Sequence, residues 1–295
     1  MELYLRQRDY WTRVYDYCAV HAMWMVASAP LERIKKIIQT QNCHPGIHPE
    51  HRFKNSLWAA EFIIKKQGFF SLWRGSLLPI CITLPNHLYC DWFQNNKNYI
   101  KVFDNHKNPF LARAEEIAKN LIMIFGTGII FYPMLMIGVQ LSVDRGTKGN
   151  FEHKSIYDCF KKISSRPIEM YRGIFSTMFI PMYIGGYYMS KSDAILDSIN
   201  SRENVIPSTL SILGWISAVN FGVMLLKQPF EVLQNRLMIQ AGRENQAFTG
   251  PMNCIAKSLK DEGFIVFTRG LTLNFFISII GFTIQAYYFD AHQLN

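Results

Sequence analysis

The stretch APLERIKKIIQTQ, residues 29–41, sets a proline inside an apolar run, with an acid two residues on (Glu32) and a base three further (Lys35). A proline within a helix removes a backbone hydrogen bond and costs about 3 kcal/mol unless neighbouring groups compensate, so Pro30 calls for a supporting structure around it. The same punctuation returns in FYPMLMIGVQ at Pro133 and in KQPFEVLQNRLMIQ at Pro229, at intervals of 103 and 96 residues. An Arg-Gly pair follows each one: Arg74-Gly75, Arg172-Gly173 and Arg269-Gly270, with the glycines 98 and 97 residues apart. Self-similarity at a fixed period marks a repeat architecture. The chain reads as three copies of one unit, at 1–105, 106–203 and 204–295, forming one integral membrane domain.

Composition points to a membrane. Apolar residues make up 49% of the chain and charged residues only 18%, below the roughly one quarter typical of soluble domains. A mean hydropathy near zero (+0.02) fits helices that face lipid on one side and a polar interior on the other. The net charge of +9 suits an anionic partner. Because the bases sit in connectors flanking apolar runs, acidic lipid headgroups are preferred over nucleic acid.

Several function classes are not expected. The cysteines Cys18, Cys43, Cys81, Cys90, Cys159 and Cys254 lack ligand spacing, so neither zinc nor disulfides are implied. HPGIHPEH, with His44, His48 and His51, reads as a polar connector and not as a metal site. The N-terminal MELYLRQRDYWTRVYDY has no apolar core of a cleavable signal and reads as a lead-in to the first helix. No phosphate-cradling loop, nucleophile elbow or carboxylate pair on one face suggests an enzyme.

Each unit reads as long helix, short helix, long helix. The first long helix runs from Tyr15 to about Ile38, and a short amphipathic helix follows at about Lys54 to Lys66, capped by Gly68. Trp73-Arg74-Gly75 opens the next long helix, which carries Pro79 and Pro85. HKSIYDCFKKIS and GPMNCIAKSLKDEG are the other short helices, and Tyr171-Arg172-Gly173 and Arg269-Gly270 open the other closing helices. Six long helices, each of roughly 20 residues or more, suffice to cross about 30 Å of hydrocarbon. No strands are read.

The pattern P-x-[DE]-x-x-[KR] with a later [DE]-G-x4-aromatic-[KR]-G, sought in each of three repeats, resembles the mitochondrial carrier family over essentially the whole chain. PLERIKKIIQTQ, KQGFFSLWRG, DEGFIVFTRG and LMIQAGRENQAFTG resemble its ADP/ATP-exchanging branch most. The resemblance implies an all-α membrane protein: six transmembrane helices in a pseudo-threefold bundle, with three short matrix-side helices, multi-pass in the mitochondrial inner membrane. It also implies helix kinks at Pro30, Pro133 and Pro229, a ring of ion pairs at each end, and a substrate held between them.

Judged against those implied roles, the residues are degenerate. In the matrix ring each acid pairs with the next repeat's base, but the positions are Glu32 and Lys35, Leu135 and Gly138, Glu231 and Gln234. Only Lys35 with Glu231 survives. The opposite ring has Asn95 and Asn98, Ser192 and Ile195, Asp290 and Gln293, with no complete pair. The basic substrate contacts of the ADP/ATP branch correspond to Met25, Ile82 and Ser278, and its triple arginine to Gln234, Asn235 and a residual Arg236. One arginine is a poor match for several phosphates. In the first helix, His21, Met23, Trp24 and Met25 fill positions where the family carries small residues.

What the family uses for cardiolipin is kept. Arg74, Gly75, Arg172, Gly173, Arg269 and Gly270 stand at the starts of the closing helices, and Thr249 and Gly250 at the start of the third short helix. Helix N-termini there can hold a phosphate. In the first repeat Asn55 takes the glycine's place as a residue tolerant of a left-handed backbone. The expectation is therefore a carrier fold that no longer transports, with cardiolipin as bound lipid and no cofactor or metal. It would serve as a structural or accessory subunit of a large respiratory-chain complex, cytochrome c oxidase among the candidates. The alternative is an active solute carrier related to the ADP/ATP exchanger with an altered substrate.

Overall fold

The structure, a computed structural model, describes residues 10–44, 52–96, 109–147, 150–174, 209–243 and 246–293. Five long helices are seen: α1 (Tyr10–Thr40), α3 (Leu77–Asn96), α4 (Pro109–Val143), α6 (Thr209–Met238) and α8 (Leu271–Gln293). Three short ones lie between them: α2 (Ser56–Gln67), α5 (Ile156–Ser164) and α7 (Pro251–Glu262). A one-turn 3₁₀ segment follows each short helix, at Phe69–Trp73, Pro167–Tyr171 and Phe264–Thr268. The only β feature among the described residues is an isolated bridge between Thr147 and Asn150. The closing helix expected after Gly173 falls largely outside the described residues.

By length and composition, two segments among the described residues are apolar enough to cross a membrane, Ala114–Val143 and Phe264–Tyr288, with mean hydropathies of 2.1 and 1.7. Two of the other long helices carry charged residues that are buried inside the protein, Asp16, Arg33 and Lys35 in α1 and Arg236 in α6, and these dilute their hydropathy. The outer faces of the long helices are apolar nonetheless: Val26, Leu84, Phe125, Ile130, Leu226 and Phe276 are exposed large side chains on five different helices.

Local sequence explains the ends. Asn55 and Ser155 cap α2 and α5, their side chains accepting from the backbone N–H groups of Trp58 and Asp158. Asn55 does so in extended backbone, φ −145°, which corrects the left-handed role expected for it. Gly250 is extended too. Left-handed backbone occurs instead at the Arg-Gly glycines, with φ of 85° at Gly75, 86° at Gly173 and 88° at Gly270. Such close agreement means three local copies of one turn. Pro30, Pro133 and Pro229 lie inside α1, α4 and α6 as expected.

Packing concentrates at the short-helix end. One core joins Tyr132, Met136 and Ile137 of α4 to Val232, Leu233 and Leu237 of α6, with Cys159 and Cys254 from the short helices. A second joins Ile34 and Ile37 of α1 to Ala59 and Ile63 of α2 and Leu273 of α8. Around the bundle, α1 packs on α3 and α8, α4 on α3, and α6 on α8. The bulky first helix is matched by its neighbours. Trp24 donates to the Ile277 carbonyl at 3.3 Å and lies over Gly281, where an added Cβ would meet its ring nitrogen at 3.2 Å.

Candidate functional site

Between the long helices lies a cavity of about 340 Å³. Tyr17, His21 and Met25 of α1, Ile82, Thr83 and Asn86 of α3, Thr127, Phe131 and Leu135 of α4, and Lys227, Glu231 and Gln234 of α6 line it. Beneath it α1, α4 and α6 meet in the segments after Pro30, Pro133 and Pro229, which set its floor. Lys227 and Glu231 stand one turn apart on one helix face. The lining therefore offers a cation, a carboxylate, hydroxyls and an apolar wall together.

The floor is ionic on one side. Lys35 Nζ lies 2.9 Å from Glu32 Oε1 and 2.9 Å from Glu231 Oε1, and it donates to Asn274 Oδ1 at 2.8 Å. An ammonium has three N–H donors, and here each has an acceptor. The network continues inward: Asn274 donates to Gln228 Oε1, Gln228 to the Arg269 carbonyl at 2.6 Å, and Asn235 to Gln39 Oε1 at 2.6 Å. The surviving pair expected from sequence is thus present, enlarged by Glu32 of the same helix.

On the other side the floor is backbone against backbone. A Cβ on Gly75 would sit 2.5 Å from the Gly138 carbonyl and collide with Ser142 Oγ. One on Gly138 would meet the Gly75 carbonyl at 3.1 Å and Pro79 Cδ at 3.4 Å. The missing base at 138 is therefore a close helix contact in which a lysine stem has no room.

Below the floor, three buried side chains cap the ends of α1, α4 and α6 in a cycle. Arg33 of α1 donates to the Ser142 carbonyl at 2.9 Å and the Asp144 carbonyl at 3.0 Å, at the end of α4. Gln140 of α4 donates to the Met238 and Ala241 carbonyls at 3.0 Å each, at the end of α6. Arg236 of α6 donates to the Gln39 carbonyl at 3.0 Å, at the end of α1. Carbonyls left open at a helix C-terminus need such partners when buried. The cycle fastens all three helices to one another through side-chain donors and backbone carbonyls.

These positions correct several expectations. Arg236 does not line the cavity; it is 1% exposed and pairs with Glu262 at 2.6 Å. Asn235 is buried on Gln39, and the Ser278 hydroxyl lies against the Asn274 carbonyl and Met224. Met25, Ile82 and Gln234 do line the cavity, and beside them stands a cation, Lys227, that the motif positions do not include. Position 227 lies outside the contacts that the family resemblance implies, and its signal in the sequence is a base one turn before a motif acid, Glu231. Of the opposite ring, Asn95 is exposed, and the remaining positions or their side chains lie outside the described residues.

The Arg-Gly arginines are braces. Arg74 reaches Asp144 Oδ2 at 3.1 Å and the His153 carbonyl, with its guanidinium 3.7 Å from the Phe151 ring centre. Arg172 donates to Gln246 and the Phe248 carbonyl. Both hold the segment just before the next short helix. Arg269 pairs with Glu262 at 2.5 Å. Gly173 and Gly270 seat their helices closely, an added Cβ meeting Leu237 at 3.2 Å and the Lys35 stem at 2.7 Å.

A family model described as mitochondrial carrier protein matches residues 18–93 and 208–294, more than half of the chain. The chain belongs to the mitochondrial carrier family. Its curated relatives include an "ADP,ATP carrier protein" of Parachlorella kessleri, 26% identical over 86% of this chain and 76% of that protein. The human "ADP/ATP translocase 4" is 27% identical over 86% of this carrier and 81% of its own length. The Arabidopsis thaliana "ADP,ATP carrier protein ER-ANT1" is 27% identical over 91% and 89%. The all-helical architecture agrees with the family.

Proposed function

We propose that this chain is a solute carrier related to the ADP/ATP exchangers, working on an altered substrate. The observation that carries the reading is a central cavity with Lys227 and Glu231 on its wall, above a floor where α1, α4 and α6 are fastened together. A membrane cavity lined by ionisable groups is expensive to keep and is the usual mark of a solute path. With Met25 and Ile82 where the ADP/ATP branch carries bases, the wall favours a small solute with one anionic group and an apolar body. The chain is read as three repeats with its short helices on the matrix side, multi-pass in the mitochondrial inner membrane, with cardiolipin at Arg74-Gly75, Arg172-Gly173, Arg269-Gly270 and Thr249-Gly250. The accessory-subunit expectation has no support beside this, since the relatives quoted above are named as carriers or a translocase.

Exchange into proteoliposomes tests it. Purified chain, reconstituted with inner-membrane lipids, is expected to exchange at least one labelled monoanionic or zwitterionic solute, with uptake reduced about tenfold or more in Lys227→Ala. Silence across carboxylates, amino acids, phosphate and nucleotides, combined with co-migration in a large complex after gentle extraction, would return the accessory-subunit reading.

A further inference from the structure

A second cavity, of about 610 Å³, opens on the far side of the floor between Asn42 and Cys43 just after α1, Arg52, and α7. Its wall gathers Arg52, Arg236, Lys257, Lys260 and Arg269 against two acids, Asp261 and Glu262. Glu262 is already engaged: Arg236 Nη1 lies 2.6 Å from one oxygen, Arg269 Nη1 2.5 Å from the other, and the Asn42 amide donates to it. Burial would raise its carboxyl, but the hydrogen bond and charge of Arg236, followed by Arg269, hold it below the usual carboxylate range. Positive charge in the wall therefore exceeds what the wall itself neutralises.

Donors are also left over. Arg236 Nη2 has no hydrogen-bond partner, although the residue is 1% exposed, and Arg52 Nε is buried without one. Buried polar groups are nearly always satisfied, and an unmet guanidinium N–H is costly. Forked guanidinium donors with ammonium groups beside them match a tetrahedral anion of several oxygens. We propose that this cavity is a phosphate-class anion site, filled by free phosphate or by a lipid phosphate headgroup. It does not depend on the transported solute or on transport itself. Arg236 also caps the end of α1 at the Gln39 carbonyl, so an anion held there stabilises the closed short-helix end.

Thermal unfolding of the full chain in detergent tests this, with inorganic phosphate titrated at constant ionic strength against chloride. A saturable rise in midpoint is expected, and Lys257→Ala/Lys260→Ala, at two exposed positions, should shift the titration about tenfold or more toward higher phosphate. A second arm omits phosphate and compares nanodiscs with and without cardiolipin; a rise dependent on the same lysines identifies the headgroup as the ligand. Asp261→Asn, which removes an acid and no donor, is expected to tighten binding by either probe. No saturable rise from either probe, an equal rise from chloride alone, or titration of the double variant and of Asp261→Asn indistinguishable from the parent overturns the site.

Discussion

At two places a long helix begins with an Arg-Gly turn against a proline-bearing helix, and the two are built oppositely. Where α8 meets α1, Gly270 makes room for the stem of Lys35, whose ammonium gathers Glu32, Glu231 and Asn274. Where α3 meets α4, Gly75 faces Gly138 and the two backbones touch. An ion pair needs side-chain length between the helices, and backbone contact needs its absence, so one spot cannot have both. The floor is thus asymmetric: a charged latch on one side and a zipper of small residues on the other.

The comparison can be broken at either side. The largest effect is expected from Lys35→Ala, which strands two carboxylates and an amide in a buried site and should cost about 3–5 kcal/mol; a loss below 1 kcal/mol in thermal or denaturant unfolding would mean that the latch is idle. Next comes Gly75→Ala, where left-handed backbone and overpacking act together, for about 2–4 kcal/mol. Gly173→Ala shares the backbone strain but meets neighbours only at 3.2 Å, so it should be the milder of the two; equal losses would undo the zipper argument.

Gln140→Leu sharpens the picture on neutral ground. It leaves the Met238 and Ala241 carbonyls unmet at the end of α6, and about 1–3 kcal/mol should be lost without any change in charge. The smallest effect concerns pH. Burial first, then Arg243 nearby, pushes the His44 imidazole down to about 4 from 6.5. The unfolded chain therefore takes up more protons between those values, stability is full above about pH 6.5, and acid removes it. Between pH 7 and pH 6 the loss should be under about 1 kcal/mol, and His44→Asn should flatten it; an unchanged profile would free His44 of that role.

Much of the fold was legible in the sequence. Three prolines inside long helices and three Arg-Gly turns stand where their spacing put them, because a left-handed turn can be made by few residue types. The Lys35–Glu231 pair was legible for a similar reason, since a base and an acid at motif positions have few other uses inside a bundle. The lining at Met25, Ile82 and Gln234 could be placed by alignment alone. The cation at Lys227 could not, because nothing local distinguishes a lysine facing a cavity from one reaching out to an interface.

The sequence by itself determined where the chain bends, turns and caps, since those depend on a residue's own backbone freedom and its nearest neighbours. Tertiary structure alone decided that Gly138 is a contact and no mere loss, that Arg236 ties a helix end and leaves the cavity to Lys227, and that Arg33, Gln140 and Arg236 close a cycle. Each of those depends on what a distant segment brings within about 3 Å, and distance through space is not written in spacing along the chain.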